Sequence, residues 1–166
     1  MYVGKWDDAA EAMKKATDMR PHDHVLWRNL GDSYDQIPSR QADARAAYEK
    51  ALETATAQFK VNPNDPVVLS GMALYYAHLD QTKEAENFIA RALKASPKDS
   101  DTLFTSALVY ELIGDRDQAL KAVDQAVMAG FSLEEVQREP ELRSLQTDPR
   151  YQRWLRQKKT VSEGKT

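Results

Sequence analysis

The sequence predicts an all-α protein in which antiparallel helix pairs are repeated in series. The first observation is that equivalent residues recur 34 positions apart: Pro63 and Pro97, Leu69 and Leu103, Ala73 and Ala107, Tyr76 and Tyr110, Ala85 and Ala119, Ala92 and Ala126. A fixed period of about 20 to 50 residues indicates a repeat architecture. The second observation is the composition, which favours helices because Ala, Leu, Glu, Gln, Lys, Arg and Asp dominate while Gly and Pro are few.

The recurring residues suit a helix pair. Small residues such as Ala73 and Ala85 allow two helices to approach closely, and Tyr76 fills the space around that contact. Proline after the second helix stops it, and Asp65 or Ser100 is then expected to cap the next helix. These features predict full repeats at about 66–99 and 100–131.

An earlier repeat, at about 24–64, has a different spacing. Its residues precede their counterparts by 41 or 42 positions rather than 34: Trp27, Gly31, Tyr34, Ala44, Tyr48 and Ala51. One residue is inserted near Pro38, and seven more lie before Pro63. Seven residues are close to two helical turns at about 3.6 residues per turn. The second helix of this repeat is therefore predicted to be two turns longer than its counterparts.

The two ends of the chain depart from the repeat. Residues 1–22 match only a second helix, with Gly4 in the turn before it, so the chain is expected to be cut from a longer protein. Residues 132–166 predict short capping helices, beginning with the capping box of Ser132 and Glu135. Proline follows a capping residue at Pro140 and Pro149. The polar tail 158–166 is predicted to be disordered.

These residues resemble the tetratricopeptide repeat (TPR), whose pattern is W-x2-LG-x2-Y followed by A-x3-F and A-x4-P. The resemblance covers residues 1 to about 130, and the first full copy reads Trp27, Leu30, Gly31, Tyr34, Ala44, Tyr48 and Ala51. The segment after it is similar to the end of C-terminal TPR arrays in bacterial multidomain proteins, which suggests a bacterial origin and an upstream effector domain.

The resemblance implies a right-handed superhelix of antiparallel helix pairs, closed by C-terminal capping helices. It also implies a scaffold that is not an enzyme and binds a peptide or helix of a partner protein in a concave groove. The first helix of each pair lines that groove. Matching the register gives the candidate binding residues Arg28, Asn29, Asp32, Asp35, Ser70, Leu74, His78, Asp101, Phe104, Leu108 and Glu111.

The predicted groove has an apolar middle and an acidic rim. Leu74, Phe104 and Leu108 form the middle, and Asp32, Asp35, Asp101 and Glu111 form the rim. Such a surface suits an amphipathic helix or a basic, apolar segment of the partner. The alternative is that Leu74 and Leu108 simply pack between repeats.

Some TPR domains bind a peptide carboxylate through Lys and Asn side chains at set positions. Here Gly71 stands where Asn is expected, and Asp101 and Thr105 stand where Lys and Arg are expected. No carboxylate clamp of that kind is therefore predicted.

Other chemistry finds little support in the sequence. The net charge of -3 gives no basic footprint for nucleic acid, and there is no Cys. The sequence contains no run of 18 apolar residues, so it predicts no membrane span. His22 and His24 could ligate a metal, but they lack a third ligand and are interpreted as exposed loop residues. We therefore expect no metal, no cofactor and a cytoplasmic location. Self-assembly into a homodimer is the alternative function.

Overall fold

The computed structural model describes residues 3–163, with side chains from residue 5 to residue 158. The α-helices are α1 (Val3–Met19), α2 (His24–Asp35), α3 (Gln41–Val61), α4 (Pro66–His78), α5 (Thr82–Ala95), α6 (Ser100–Leu112), α7 (Arg116–Met128), α8 (Leu133–Arg138), α9 (Arg143–Gln146) and α10 (Pro149–Glu163). Two 3-10 turns lie at Pro38–Arg40 and Pro140–Leu142. The described residues form no strand, in agreement with the predicted fold class.

The chain divides into two compact units, Met1–Pro97 and Lys98–Thr166. In the first unit α2 packs along α3 and α4 packs along α5, while α1 packs on α2 and α3 packs on α4. In the second unit α6 packs along α7. These pairs confirm the predicted helix hairpins. The boundary between the two compact units falls between the second and third full repeats. The predicted boundary between the repeats and the capping helices, at residue 131, stays a prediction.

Small residues permit the close contact within each hairpin. Ala73, Ala85, Ala107 and Ala119 are all fully buried. In the α2–α3 pair a Cβ atom at Gly31 would lie 2.6 Å from Cε1 of Tyr48, which is closer than two carbon atoms can approach. The absence of a side chain at Gly31 therefore allows the Tyr48 ring to lie against α2.

The helix caps are built as the sequence predicts, with one exception. The Asp65 carboxylate accepts from the backbone N–H of Val67 at 2.9 Å, and Pro66 is the first residue of α4. At the start of α6 the cap is Asp99 rather than Ser100, which lies inside the helix. The Asp99 carboxylate accepts from both the N–H and the hydroxyl of Thr102, so it satisfies one of the free N–H groups at the start of the helix.

The predicted long helix is present. α3 contains 21 residues and α5 contains 14, a difference of seven. The residue inserted near Pro38 is accommodated in the 3-10 turn. The extended end of α3 is held to the turn before α2, since the Gln58 side chain donates to the carbonyl of His22 at 3.2 Å.

The two ends of the chain follow the sequence predictions only in part. The N–H of Glu135 donates to the Ser132 hydroxyl, which confirms that half of the capping box. The turn expected at Gly4 is wrong, because α1 runs through this residue. The tail expected to be disordered is instead helical through Glu163, and residues 164–166 lie outside the described part of the chain. Within that part no helix is both long and apolar enough to cross a bilayer.

Candidate binding surface

The α2 side of the predicted groove carries a charged cluster in the first unit. Arg28, Asn29, Asp32 and Asp35 lie on one face of α2 and are all half-buried. Arg28 Nε lies 2.9 Å from Asp32 Oδ2, and the Tyr48 hydroxyl of α3 donates to Asp32 Oδ1 at 3.0 Å. Asp32 is therefore held from two sides, and Arg28 balances its charge.

On α4 the same cluster continues through an aromatic contact. The His78 ring stacks on the Tyr48 ring with centroids 3.9 Å apart and planes 9° apart. The sequence predicted His78 in the groove, whereas Tyr48 was identified only as a residue of the repeat pattern. The signal was available, because Tyr48 stands where the repeat pattern has Phe and so adds a hydroxyl.

The apolar part of the groove face lies elsewhere than predicted. Leu74 is only 2% exposed and Ser70 is also buried, so neither presents its side chain on the surface. Val25 and Val67 are instead 41% and 62% exposed. Each is the second residue of its helix, and both occupy groove positions by register. The exposed apolar surface of this face therefore lies at the beginning of α2 and α4.

A buried hydrogen bond explains the glycine at position 71. His24 Nδ1 and the Tyr75 hydroxyl lie 2.7 Å apart. A Cβ at Gly71 would lie 3.1 Å from this hydroxyl and 3.3 Å from His24 Cε1, so the space of the expected Asn side chain is occupied. The interpretation of His24 as an exposed loop residue is wrong. Its burial lowers the pKa of His24, and burial likewise raises the pKa of Tyr75.

In the second unit the chain covers its own groove face. Phe104 is 9% exposed and Leu108 is 1% exposed, and Phe131 stacks on Phe104 with centroids 3.9 Å apart. The 3-10 turn Pro140–Leu142 packs on α6, and Leu142 is fully buried. The burial of Leu108 agrees with the alternative that it serves packing.

The two acidic positions of α6 differ in environment. Asp101 is exposed in the first turn of the helix. Glu111 is paired with Arg116, whose guanidinium donates to Glu111 Oε1 at 2.9 Å. The Glu111 side chain is only 7% exposed. Of this predicted acidic rim, Asp101 is thus open to a partner while Glu111 serves an ion pair.

Known proteins share the repeat on which this surface is built. Family models described as tetratricopeptide repeat match residues 1–59 and 68–99. Anaphase-promoting complex subunit 3 of Schizosaccharomyces pombe is 26% identical over 121 residues, which are 73% of this chain and 17% of that protein. Interferon-induced protein with tetratricopeptide repeats 2 of Cricetulus griseus is 25% identical over 91 residues, 55% of this chain and 19% of that protein. The chain thus spans less than a fifth of the length of these curated relatives.

A solved structure supports the fold. A thermophilic TPR protein of Thermus thermophilus superposes with a TM-score of 0.55 at 21% identity, covering 81% of this chain and 71% of that one. The helix pairs of the present chain have the architecture of that protein.

Proposed function

This chain belongs to the tetratricopeptide repeat family, and from that premise we propose that it is a non-catalytic scaffold that binds a partner protein on the α2–α4 face of its first unit. The observation that carries the proposal is the exposed apolar surface at the beginning of α2 and α4. Val25 and Val67 occupy equivalent positions there and are 41% and 62% exposed.

The chemistry of the face suggests a basic, apolar segment as partner. Val25 and Val67 offer apolar contact area at the beginning of the two helices. Further along α2, Asp32 is balanced by Arg28, while the half-buried Asp35 adds a further negative charge. A peptide with apolar residues at one end and Lys or Arg at the other complements this order.

An array of 15-residue peptides that vary in apolar and basic content, probed with the full chain, tests the proposal. Val25→Lys combined with Val67→Lys places two positive charges on the face and should weaken binding of basic, apolar peptides at least tenfold. Both positions are exposed, so the variant should fold.

The matched control is Val61→Lys with Met128→Lys, which adds the same charge at exposed apolar positions outside α2 and α4. These residues are 87% and 73% exposed. The control should bind within about twofold of the unchanged protein. An equal loss in both variants, or no loss in either, would count against the α2–α4 face.

Homodimerisation is the second candidate function, favoured by exposed apolar residues at one end of the first unit. Met19 at the end of α1 and Val61 at the end of α3 are 83% and 87% exposed. The bond from Gln58 to the His22 carbonyl holds the end of α3 close to the turn that follows α1. Size-exclusion chromatography with light scattering tests this function, and a monomeric mass at the highest soluble concentration would exclude it.

A further inference from the structure

The extension of α3 lines a second cleft in the first unit, which the groove hypothesis does not use. The cleft has a volume of about 570 Å³. One wall is a single face of α3 from Glu49 to Lys60, with lining residues in the helical pattern i, i+3, i+4, i+7, i+8, i+11. The other wall is formed by Tyr76, Leu79 and Gln81 at the end of α4 and in the turn after it. The α3 wall is about 16 Å long at roughly 1.5 Å per residue, the length of a three-turn helix.

The floor of the cleft is apolar and fixed by aromatic packing. Leu52, Tyr76 and Leu79 form it, with Leu52 and Tyr76 half-buried. The Tyr76 ring lies 5.3 Å from the Phe88 ring, and Phe88 in turn lies 5.6 Å from Phe59 on the extended part of α3. The extension of α3 thereby contacts α5 through Phe59 and Phe88.

The rim is acidic at one end. The side chains of Glu49 and Glu53 are 61% and 68% exposed. Glu84 lies near enough to act on Tyr76, since burial and then this carboxylate raise the pKa of the tyrosine. Glu49 and Glu53 pair with Arg45 at 3.6 Å and Lys50 at 2.8 Å, but exposed pairs of this kind are weak and exchange readily for an incoming cation.

We propose that this cleft docks an amphipathic helix of a partner protein, about three turns long, with its apolar face on Leu52, Tyr76 and Leu79. Lys or Arg side chains of that helix lie opposite Glu49 and Glu53. The cleft shares none of its lining residues with the α2–α4 face. An apolar floor supplies the affinity, and the carboxylates select the charge of the helix.

The test uses two 14-residue helical peptides with the same leucine stripe, one with Lys and one with Glu on the polar face. Their binding to the full chain is measured by fluorescence anisotropy. The Lys peptide should bind at least tenfold more tightly than the Glu peptide. Glu49→Lys with Glu53→Lys should reverse this preference, and Ala57→Trp, at an exposed cleft position, should weaken both peptides.

Two control variants distinguish binding in the cleft from a general effect of net charge and from binding on the α2–α4 face. Asp7→Lys with Asp8→Lys makes the same change of net charge at exposed positions on α1 and should leave the preference intact. Val25→Lys with Val67→Lys changes only the α2–α4 face. Binding of the two leucine-stripe peptides, and its weakening by Ala57→Trp, should therefore stay the same in this variant, even if the α2–α4 face proves to bind no partner. Three results would each overturn the proposal: an equal change of the peptide preference in Glu49→Lys with Glu53→Lys and in Asp7→Lys with Asp8→Lys, no effect of Ala57→Trp, or no binding of either peptide.

Discussion

His24 Nδ1 and Tyr75 Oη share a buried hydrogen bond of 2.7 Å, which joins the first residue of α2 to α4 across two neighbouring repeats. Burial lowers the pKa of His24, and the nearby carboxylates of Asp23 and Asp65 oppose this effect without overcoming it. The folded state therefore favours the neutral imidazole.

This shift gives a pH dependence of stability. The unfolded chain, with an ordinary His pKa of about 6.5, binds more protons than the folded chain just below that pH. The contribution of His24 is therefore fully present above about pH 6.5 and is lost as the pH falls towards the lowered folded-state pKa. Urea midpoints between about pH 5 and pH 7.5 should fall with acidification, and less steeply in His24→Gln. His22→Gln, at an exposed site, should keep the original slope; equal slopes for His24→Gln and the unchanged protein would contradict the assignment.

The contact between Gly31 and Tyr48 predicts a reversal of the usual effect of alanine in a helix. Replacing an interior helical glycine by alanine normally stabilises by about 0.5 to 1 kcal/mol. Gly31→Ala should instead lower the free energy of unfolding by about 1 to 3 kcal/mol, because the new Cβ would lie 2.6 Å from the Tyr48 ring. Chemical denaturation measures the effect. In a Tyr48→Leu background the cost of Gly31→Ala should shrink, and an unchanged cost would show that the ring is not its cause.

In the turn after α4, Asp80 has a positive φ angle, and the equivalent position in the turn after α6 is occupied by a glycine. Asp80 has φ of 62°, and Gly114, 34 residues later, has φ of 84°. Asp80→Gly should raise stability by up to about 1 kcal/mol, because a side chain at positive φ is strained. The ion pair with Arg45 that it removes is largely exposed and contributes little. Thermal unfolding should show a higher Tm for Asp80→Gly and a lower Tm for Gly114→Ala. A lower Tm for Asp80→Gly would show that its side chain matters more than the strain.

Removal of the Tyr151 hydroxyl and removal of the Tyr48 hydroxyl should change the stability of the chain in opposite directions. The Tyr151 hydroxyl is buried and has no hydrogen-bond partner among the described residues, whereas the Tyr48 hydroxyl donates to Asp32. Tyr151→Phe should therefore stabilise the chain by about 1 kcal/mol, and Tyr48→Phe should destabilise it by about the same amount. Urea denaturation of both variants checks this. Destabilisation by Tyr151→Phe would mean that the hydroxyl is satisfied in solution.

The helix pairs could be predicted because their contacts repeat. Ala73 and Ala107 meet the same steric demand 34 residues apart, and the seven extra residues of α3 preserve its apolar spacing. The binding surface could be predicted only in part, because register identifies a helix face but does not show what covers it. Phe131, which stacks on Phe104, stands 34 residues after Pro97, where the repeat pattern has proline, and no period indicates such a contact. His24 likewise looks like a loop residue in the sequence, because its partner Tyr75 belongs to the next repeat.

The length of α3 also bears on how this family tolerates insertions. Seven added residues rotate the following side chains by only about 20° around the helix axis, so an insertion of this size leaves each residue on its original face. An insertion of five residues would rotate them by about 140° at roughly 3.6 residues per turn and would turn the buried alanines towards solvent. Insertions and deletions in the second helix of a repeat should therefore survive selection mainly where their length is close to a whole number of turns, and α3 is longer than α5 by about two turns.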